Sequence, residues 1–344
     1  MTSPTPLQAA ISKLAYHEEL GADDAAAAFG VIMRGEASAL QIAAMLTGLR
    51  VRGETSAIVA GVVRALREVM VHLPADDRES LVDTCGTGGG AVPTFNISTA
   101  AALLAAGAGV RIAKHGNRSF TSRCGSADVL EALGVAIDAP LEVMASALAN
   151  AGIVFMYAPL MHPAMRHVGP IRRELAIPTV MNVVGPLANP AGAARQVVGV
   201  ADSARVPILA GALRELGARH ALVVHGEPGL DEISPLGVTQ VVEIVDGESR
   251  EWTIDPAEFG FGGDPADLRG GDPEENARIV TDVLGGNGTA AARAAVVMNA
   301  AGAIYVSGRG TTYSESVDAA GAALAEGKGL VALDRLRSAY SATG

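Results

Sequence analysis

The stretch that decides the fold is Leu81-Val82-Asp83-Thr84-Cys85-Gly86-Thr87-Gly88-Gly89-Gly90. Leu81 and Val82 open a predicted strand, and the glycines form a loop directly after it. Because glycine lacks a Cβ atom, the N–H groups of such a loop can approach a phosphate closely. The polar run Thr94-Phe95-Asn96-Ile97-Ser98-Thr99 then opens a predicted helix, and a helix N-terminus favours anions. The attached polar run favours a phosphate site over a simple strand-to-helix turn.

Helical patterns alternate with apolar, β-branched segments after this loop. The predicted strands are residues 110–113, 153–157, 196–200 and 221–224. Helices are predicted from about Ser98, over 126–133 and 205–216, and in the tail after Pro273. Such alternation is typical of an α/β domain with a doubly wound, mostly parallel sheet.

The segment before the loop has a different pattern, in which apolar residues recur at helical spacing. The predicted N-caps of its helices are Thr5, Asp23, Ser38 and Thr55. The helices and the loops between them are short, which indicates an antiparallel helical unit. We therefore predict a small helical domain over 1–73, joined by part of the segment 160–190, and a larger α/β domain over 74–344.

Composition and charge exclude several classes of protein. With 49% hydrophobic residues among 344, most of the chain is expected to be folded. The longest strictly apolar run, Ala100–Val110, is too short to cross a bilayer, and residues 1–20 lack a secretory signal pattern, so no membrane partner is expected. A net charge of −11 disfavours nucleic acid as a partner. Cys85 and Cys124 do not suggest a disulfide framework, which favours a cytoplasmic location.

Basic and hydroxyl side chains cluster near the end of the second predicted strand. The cluster consists of Lys114-His115-Gly116-Asn117-Arg118, followed by Ser122 and Ser126. Lysine is scarce in this chain, so its presence in this cluster is notable. Open α/β sheets bind ligands where their strands end, and clustered cations bind polyanions. The density of donors favours an anion site over a solvated basic loop.

Acidic residues follow the strand predicted at 221–224. Asp231 and Glu232 offer the oxygen ligands that suit Mg²⁺, an ion that also binds substrate phosphate. Acidic pairs are usually solvated, so these two residues indicate a metal only in combination with the phosphate loops. Arg172 can pair with a ligand carboxylate, but spacing alone favours a pair of Arg172 or Arg173 with Glu174 or another surface acid.

No catalytic side chain is predicted. The sequence has no convincing Ser-His-Asp or Cys-His arrangement, and His115 and His162 are each better interpreted as structural. The glycine loop lacks both the third glycine of a dinucleotide-binding loop and the Lys-Ser/Thr ending of a nucleoside-triphosphate loop.

Together these segments resemble the anthranilate phosphoribosyltransferase family over nearly the whole chain. The motifs occur in the family's order and spacing, and their combination is highly specific. They are Gly86-Thr87-Gly88-Gly89, residues 94–99, residues 114–118, Gly125-Ser126-Ala127-Asp128-Val129-Leu130-Glu131-Ala132, His162-Pro163-Ala164-Met165, Arg172-Arg173-Glu174-Leu175, Gly185-Pro186-Leu187-x-Asn189-Pro190, and Val224-His225-Gly226 with Asp231-Glu232.

The resemblance implies a fold of the nucleoside phosphorylase/phosphoribosyltransferase type, a site in the cleft between the domains, and a homodimer joined through the helical domains. It implies transfer of a phosphoribosyl group from phosphoribosyl pyrophosphate (PRPP) to the amine of anthranilate in tryptophan biosynthesis, with Mg²⁺ as cofactor. The residues implied to surround PRPP are Gly86, Gly89, Gly90, Thr94, Asn96, Ile97, Ser98, Thr99, Lys114, His115, Gly116, Asn117, Arg118, Ser122 and Ser126. Those implied to contact anthranilate are Gly86, Asn117 and Arg172, with Arg172 facing its carboxylate. Ser98, Asp231 and Glu232 are implied to hold Mg²⁺.

One position departs from the family pattern, which usually has Asp-Gly where this chain has Gly90-Ala91. A carboxylate near the diphosphate is therefore missing. Two other functions stay open: a pyrimidine nucleoside phosphorylase-like enzyme that uses inorganic phosphate, and a nucleic-acid-binding relative without transferase activity. Asp231-Glu232 and the loop at Lys114 favour PRPP as the donor, and the net charge disfavours nucleic acid. A broader range of aromatic amine acceptors also stays open.

Overall fold

A computed structural model describes residues 3–119 and 123–341 of the chain. Its first part is a bundle of short helices, α1 Pro6–Ala15, α2 Ala22–Met33, α3 Ala39–Arg52 and α4 Ser56–Val69. Thr5, Ser38 and Thr55 cap α1, α3 and α4 as predicted, each by accepting a backbone N–H. The prediction for Asp23 is wrong, because this residue lies inside α2, where the N-cap is Gly21.

The rest of the described chain alternates strands with helices. The strands are β1 Leu81–Gly86, β2 Arg111–Gly116, β3 Ile153–Tyr157, β4 Arg195–Gly199, β5 His220–Gly226, β6 Thr239–Val245 and β7 Glu248–Ile254. The helices are α5 Ile97–Gly107, α6 Ser126–Ala132, α7 Leu141–Ala151, α8 Ala158–Met161, α9 Gly169–Leu175, α10 Met181–Val184, α11 Val206–Glu215, α12 Pro273–Leu284, α13 Ala290–Val306, α14 Tyr313–Ala325 and α15 Lys328–Ser341. Within the described ranges, no helix combines the length and the apolar character needed to span a bilayer.

The strands of the described chain form one sheet in the order β3-β2-β1-β4-β5-β6-β7. Strands β1 to β5 are parallel to one another. Helices α5 and α13 pack on one face of the sheet, and α11 packs on the other. The prediction of a doubly wound, mostly parallel sheet is therefore confirmed.

The predicted strands do not include the antiparallel hairpin of β6 and β7, which extends the sheet beyond β5. The first residues of β7, Glu248-Ser249-Arg250-Glu251, are polar and exposed, so this edge strand lacks an apolar signal. A signal was present in the turn, because Asp246 and Gly247 have φ values of +46° and +88°. Asp-Gly is a preferred pair for such two-residue hairpin turns.

One apolar core joins the helical bundle to the sheet. Phe29 of α2 and Val198 of β4 are fully buried in the same cluster, whereas the neighbouring Val197 belongs to the cluster on the opposite face. Val168 and Leu187, from the segment between α8 and β4, are also fully buried in the bundle's cluster. This segment therefore crosses back to the bundle before the chain returns to the sheet at β4.

Candidate active site

The segments predicted to form the site meet at one edge of the sheet, where its parallel strands end. Gly86, Gly116 and Gly226 are the last residues of β1, β2 and β5. Strand β1 lies between β2 and β4, and the chain turns to one side for β2 and to the other for β4. Open α/β sheets bind ligands beside such a switch point.

The glycine loop after β1 contacts the acidic loop after β5. The Gly88 N–H donates to Asp231 Oδ2 at 2.7 Å, and the Ala91 N–H donates to the Gly229 carbonyl at 2.8 Å. Gly88 has a φ of +72°, a conformation that side chains rarely adopt. A loop N–H thus binds a carboxylate oxygen in the same way that it can bind a phosphate oxygen.

The start of α5 and the end of β2 complete this contact. The Ser98 N–H donates to Glu232 Oε1 at 3.1 Å. The Lys114 ammonium group donates to the Thr84 carbonyl at 2.6 Å and to Ser98 Oγ at 3.4 Å. Segments that are distant in sequence therefore meet around Ser98.

Burial changes the proton affinity of the charged groups in this cluster. It raises the pKa of Glu232 to about 8, and the nearby charge of Asp231 adds to that rise. Burial also raises the pKa of Asp231, although the hydrogen bond from Gly88 opposes it. Burial lowers the pKa of Lys114, against the attraction of Asp83. Adjacent buried carboxylates favour a bound cation, because a cation offsets both their desolvation and their mutual repulsion.

The candidate metal ligands are oxygen atoms of Ser98, Asp231 and Glu232. Among the residues that the structure describes, no group of three or more His, Cys, Asp or Glu side chains is arranged to hold a metal ion. Mg²⁺ usually keeps several waters and binds one or two carboxylates together with substrate phosphates. Two carboxylates and a hydroxyl group suit this chemistry without a third acidic ligand.

Lys114 and His115 lie within β2 rather than after its end as predicted, because the strand continues to Gly116. Both side chains are buried. The His115 ring lies 4.9 Å from the His162 ring, measured between centroids. Burial lowers the pKa of His115 to about 3 and that of His162 to about 4, so both rings are neutral at pH 7.

The Arg118 guanidinium group is held by acidic side chains of α6. It donates to Asp128 Oδ1 and to Glu131 Oε2, both at 2.8 Å. Its Cζ atom lies 5.9 Å from the centre of the Tyr157 ring. These two carboxylates thus fix the position of the Arg118 guanidinium group.

Backbone contacts at Asn117 and Ser126 close the base of the loop that follows β2. The Asn117 N–H donates to Ser126 Oγ at 3.2 Å, and the Ala127 N–H donates to the Asn117 carbonyl at 3.1 Å. Ser122, which is also predicted to bind PRPP, lies outside the described residues.

Other residues predicted to bind PRPP surround the start of α5. The Asn96 side chain accepts from the Asn276 amide at 2.9 Å and donates to the Cys124 carbonyl at 3.3 Å. The Ile97 side chain is fully buried, so only its backbone can face a ligand, and Thr99 is buried as well. Thr94 and Gly90 are partly buried, as is Gly86, and Gly89 is exposed.

Arg172 lies on α9, which packs against α3 of the helical bundle. Its guanidinium group donates to Asn182 Oδ1 at 3.3 Å, and burial lowers its pKa. No ion pair of Arg172 is present within the described chain, so the pairing with Glu174 or a surface acid that its spacing favours is wrong. Its hydrogen bonds within that part of the chain do not reach the loops around Ser98. A partly buried arginine without a carboxylate partner is suited to bind an anionic ligand.

Two buried polar residues without a predicted role connect these elements. Asp83 of β1 accepts from the Asn189 amide at 2.7 Å and from the His115 N–H at 3.2 Å. Asn189 also donates to the Ala113 carbonyl at 2.8 Å. Burial raises the pKa of Asp83 to about 6. An acidic residue directly after the apolar pair Leu81-Val82 of the predicted strand is the signal in the sequence that identifies Asp83.

Two family profiles match most of the chain. Residues 8–70 match the helical bundle domain of the glycosyl transferase family, and residues 78–330 match its a/b domain. The chain is also similar to the anthranilate phosphoribosyltransferase of Rubrobacter xylanophilus, with 50% identity over 330 residues that cover 96% of each chain.

Solved structures agree with these matches. The anthranilate phosphoribosyltransferase of Thermus thermophilus has a TM-score of 0.91 and 40% identity, over 96% of this chain and 99% of that chain. That of Saccharomyces cerevisiae in complex with PRPP and Mg has a TM-score of 0.89 and 27% identity, over 99% of both chains. Its complex with 4-fluoroanthranilate has a TM-score of 0.86 and 27% identity, over 98% of both chains. The glycosyl transferase family, and within it the anthranilate phosphoribosyltransferases, is thus the family to which this chain belongs.

Proposed function

We propose that the chain transfers the phosphoribosyl group of PRPP to the amine of anthranilate, giving N-(5-phosphoribosyl)anthranilate and diphosphate. The observation that carries this proposal is the contact of three sequence-distant segments around Ser98. A glycine loop, a buried lysine and two partly buried carboxylates meet there. Together they supply the donors and the metal ligands that a metal-bound diphosphate requires.

Mg²⁺ fits the residues at this site. Ser98, Asp231 and Glu232 would hold the ion, which is present in the Saccharomyces cerevisiae structure with PRPP. The partly buried carboxylate pair supports this assignment, because a divalent cation offsets the cost of holding two negative charges close together there. When bound, Mg²⁺ supplies positive charge that stabilises the leaving diphosphate.

Gly90 lowers the negative charge at this place relative to the usual family pattern. A Cβ atom at position 90 would lie 3.2 Å from Asp231 Oδ1. The aspartate that the family usually has there would therefore put another carboxylate beside Asp231 and Glu232. We propose that these two acidic residues suffice to hold the ion in this chain.

The proposed chemistry needs no strong general base. The anthranilate nitrogen forms a bond to C1 of the ribose, and the bond from C1 to the diphosphate oxygen breaks with its electron pair on the diphosphate. The amine proton passes to solvent, and the aryl amine is already neutral at pH 7. Lys114 and the N–H groups of the glycine loop stabilise the developing negative charge, so the protein acts by positioning and electrostatics.

Arg172 is proposed to bind the carboxylate of anthranilate, with Gly86 and Asn117 as further contacts. The lack of an acidic partner for its guanidinium group within the described residues supports this role, because a bidentate carboxylate would restore the missing interaction. The Saccharomyces cerevisiae relative binds 4-fluoroanthranilate. A substrate that reaches both Arg172 and the PRPP loops would lie between the helical bundle and the sheet.

We further propose a homodimer joined through the helical domains, in which exposed apolar residues at the end of α1 and on α3 are covered. Tyr16, Leu40 and Val51 support this, since they are 76%, 80% and 80% exposed. Cys85 and Cys124 form no disulfide in the described chain, which supports a cytoplasmic location. Tryptophan biosynthesis is the proposed pathway.

The helical domain is proposed to comprise residues 1–73 with part of the segment 160–190, and the α/β domain residues 74–344.

Loss of anthranilate fluorescence on addition of PRPP and Mg²⁺ tests the proposed function. We expect turnover with PRPP and none when Mg²⁺ is chelated. Inorganic phosphate with a pyrimidine nucleoside serves as the alternative substrate pair. Turnover of that pair, or a salt-dependent gel shift with nucleic acid and no turnover of anthranilate, would contradict the proposal.

A further inference from the structure

We infer that Asp128 is a positioning residue for PRPP, because its carboxylate holds together the two ends of the loop that follows β2. This inference rests on the proposed role of that loop in binding PRPP. Asp128 lies on α6, and its side chain is only 15% exposed.

The carboxylate of Asp128 binds both sides of the loop at once. Oδ2 accepts from the Gly125 N–H at 2.8 Å and from the Ser119 N–H at 3.2 Å. Oδ1 accepts from the Arg118 guanidinium group at 2.8 Å. Gly125 and Ser119 are neighbours in space although the loop separates them in sequence, so one side chain fixes the width of the loop at its base.

The backbone approaches itself closely at the base of this loop. A Cβ atom at position 125 would clash with the backbone of Asn117, Arg118 and Ser119. The two ends of the loop are therefore in direct backbone contact. A polar group has to accept hydrogen bonds from the N–H groups at this contact. The Asp128 carboxylate accepts such hydrogen bonds from both ends of the loop.

These contacts exceed what a helix cap requires. As the third residue of α6, Asp128 needs only the Gly125 N–H to complete the capping pattern. The contacts with Ser119 and Arg118 lie outside the capping pattern, because both residues belong to the preceding loop. They set where the loop N–H groups and the Arg118 charge are placed, and those groups are proposed to face PRPP.

The chain offers a matched control in α2, which begins with the same arrangement. Asp24 is the third residue of that helix, accepts from the Gly21 N–H at 3.3 Å, and pairs with the Lys13 ammonium group at 2.6 Å. It closes no ligand loop. Asp24→Asn therefore removes a capping carboxylate with a basic partner and leaves the PRPP loop intact.

The test compares Asp128→Asn with Asp24→Asn in steady-state kinetics and in calorimetric titration with PRPP and Mg²⁺ without anthranilate. Removing charged hydrogen bonds of this kind is expected to raise the KM and the Kd for PRPP about tenfold in Asp128→Asn, while the KM for anthranilate changes less than about twofold. Asp24→Asn is expected to lower the melting temperature without a change in the KM or the Kd for PRPP. Asp128→Glu keeps the charge but misplaces the oxygen atoms, so we expect an increase of about threefold in the KM for PRPP even where Asp128→Asn fails to fold.

The results separate this inference from the proposed function. Unchanged PRPP affinity in both Asp128 variants, or an equal loss in Asp24→Asn, would overturn the inference while turnover by the native chain upholds the function. A native chain that binds PRPP without consuming anthranilate would overturn the function, and the Kd of Asp128→Asn would still test the role of Asp128.

Discussion

Glu232 and Glu243 lie near opposite ends of strand β5 and differ sharply in what surrounds them. Glu232 follows the strand, lies next to Asp231, and accepts a hydrogen bond from the Ser98 N–H, and burial raises its pKa to about 8. Glu243 pairs with Leu222 near the start of the strand. Its carboxylate accepts from His220, Arg250, Trp252 and Tyr305. Despite its burial, these donors lower the pKa of Glu243 to about 2.

The difference separates a carboxylate that stabilises the fold from one that is available to a ligand. Donors on several elements satisfy Glu243, so it fastens the β6–β7 hairpin to β5 and α13. Glu232 and Asp231 have few donors and repel each other, which costs stability without a cation. Substitutions at the two places should therefore affect different properties of the enzyme.

The largest effect on activity is expected at Glu232, which has few hydrogen-bond donors. Glu232→Gln removes a proposed Mg²⁺ ligand, so we expect kcat/KM for PRPP to fall about a thousandfold, as loss of a metal's charge stabilisation costs several kcal/mol. The melting temperature should stay the same or rise, because the substitution removes a partly buried ionisable group that has few hydrogen-bond donors. Steady-state kinetics over a range of Mg²⁺ concentrations and a thermal melt measure both. Near-native activity of Glu232→Gln with a large loss of stability would contradict the assignment, because Glu232 would then stabilise the fold rather than bind a ligand.

Substitution of Glu243 should show the opposite result, a loss of stability without a loss of activity. Glu243→Ala leaves the donors around it without an acceptor, so we expect the free energy of unfolding to fall by about 3 kcal/mol. The kcat and both KM values should change less than about twofold, since Glu243 lies far along the sheet from the loops around Ser98. Urea unfolding and kinetics check this, with the exposed Glu251→Ala on β7 as the control. A variant that loses activity but not stability would contradict the assignment.

The pH dependence of stability sharpens the same point. The pKa of Glu243 is about 2 in the folded protein and near its usual value of 4.5 when unfolded, so the unfolded chain takes up this proton first as the pH falls. The stabilisation by Glu243 should therefore be complete above pH 4.5 and disappear as the pH approaches 2. We expect the difference in melting temperature between the native chain and Glu243→Gln to be large at pH 7 and to shrink between pH 4.5 and 3. A difference that does not vary with pH would show that the carboxylate charge is not responsible.

The comparison extends to two arginines with a smaller expected effect. Arg250 is paired with Glu243, whereas Arg172 donates to Asn182 and forms no ion pair within the described residues. Arg172→Ala should raise the KM for anthranilate about tenfold and leave the KM for PRPP unchanged, as loss of one charged hydrogen-bonding partner predicts. Arg250→Ala should lower stability and leave both KM values unchanged. An unchanged KM for anthranilate in Arg172→Ala would refute its assignment to the acceptor carboxylate.

Local patterns predicted much of the fold. The strands at 153–157 and 196–200 and the caps at Thr5 and Ser38 depend on neighbouring residues, which the sequence displays directly. Strand β7 lacks the apolar pattern that identifies a buried strand, because most of it is exposed. The apolar residues of β6 and the Asp246-Gly247 turn are the signals that identify the hairpin.

The candidate site was predicted in part for the same reason. Glycine, lysine and acidic motifs indicated a phosphate and metal site, but sequence separation hides which of them touch. Asp83 and Asp128 act through partners on other elements, Asn189 and Ser119, and no spacing rule connects such pairs. The capping pattern from Gly125 to Asp128 indicated the helix, whereas the additional bond to Ser119 depends on the folded loop.

A crystal structure of the native chain with PRPP and Mg²⁺ tests most directly whether the segments around Ser98 form the donor site. We predict that the diphosphate contacts the glycine loop and Lys114, and that the metal ion is bound by Asp231 and Glu232. PRPP bound elsewhere, or a metal ion that touches neither carboxylate, would contradict the assignment.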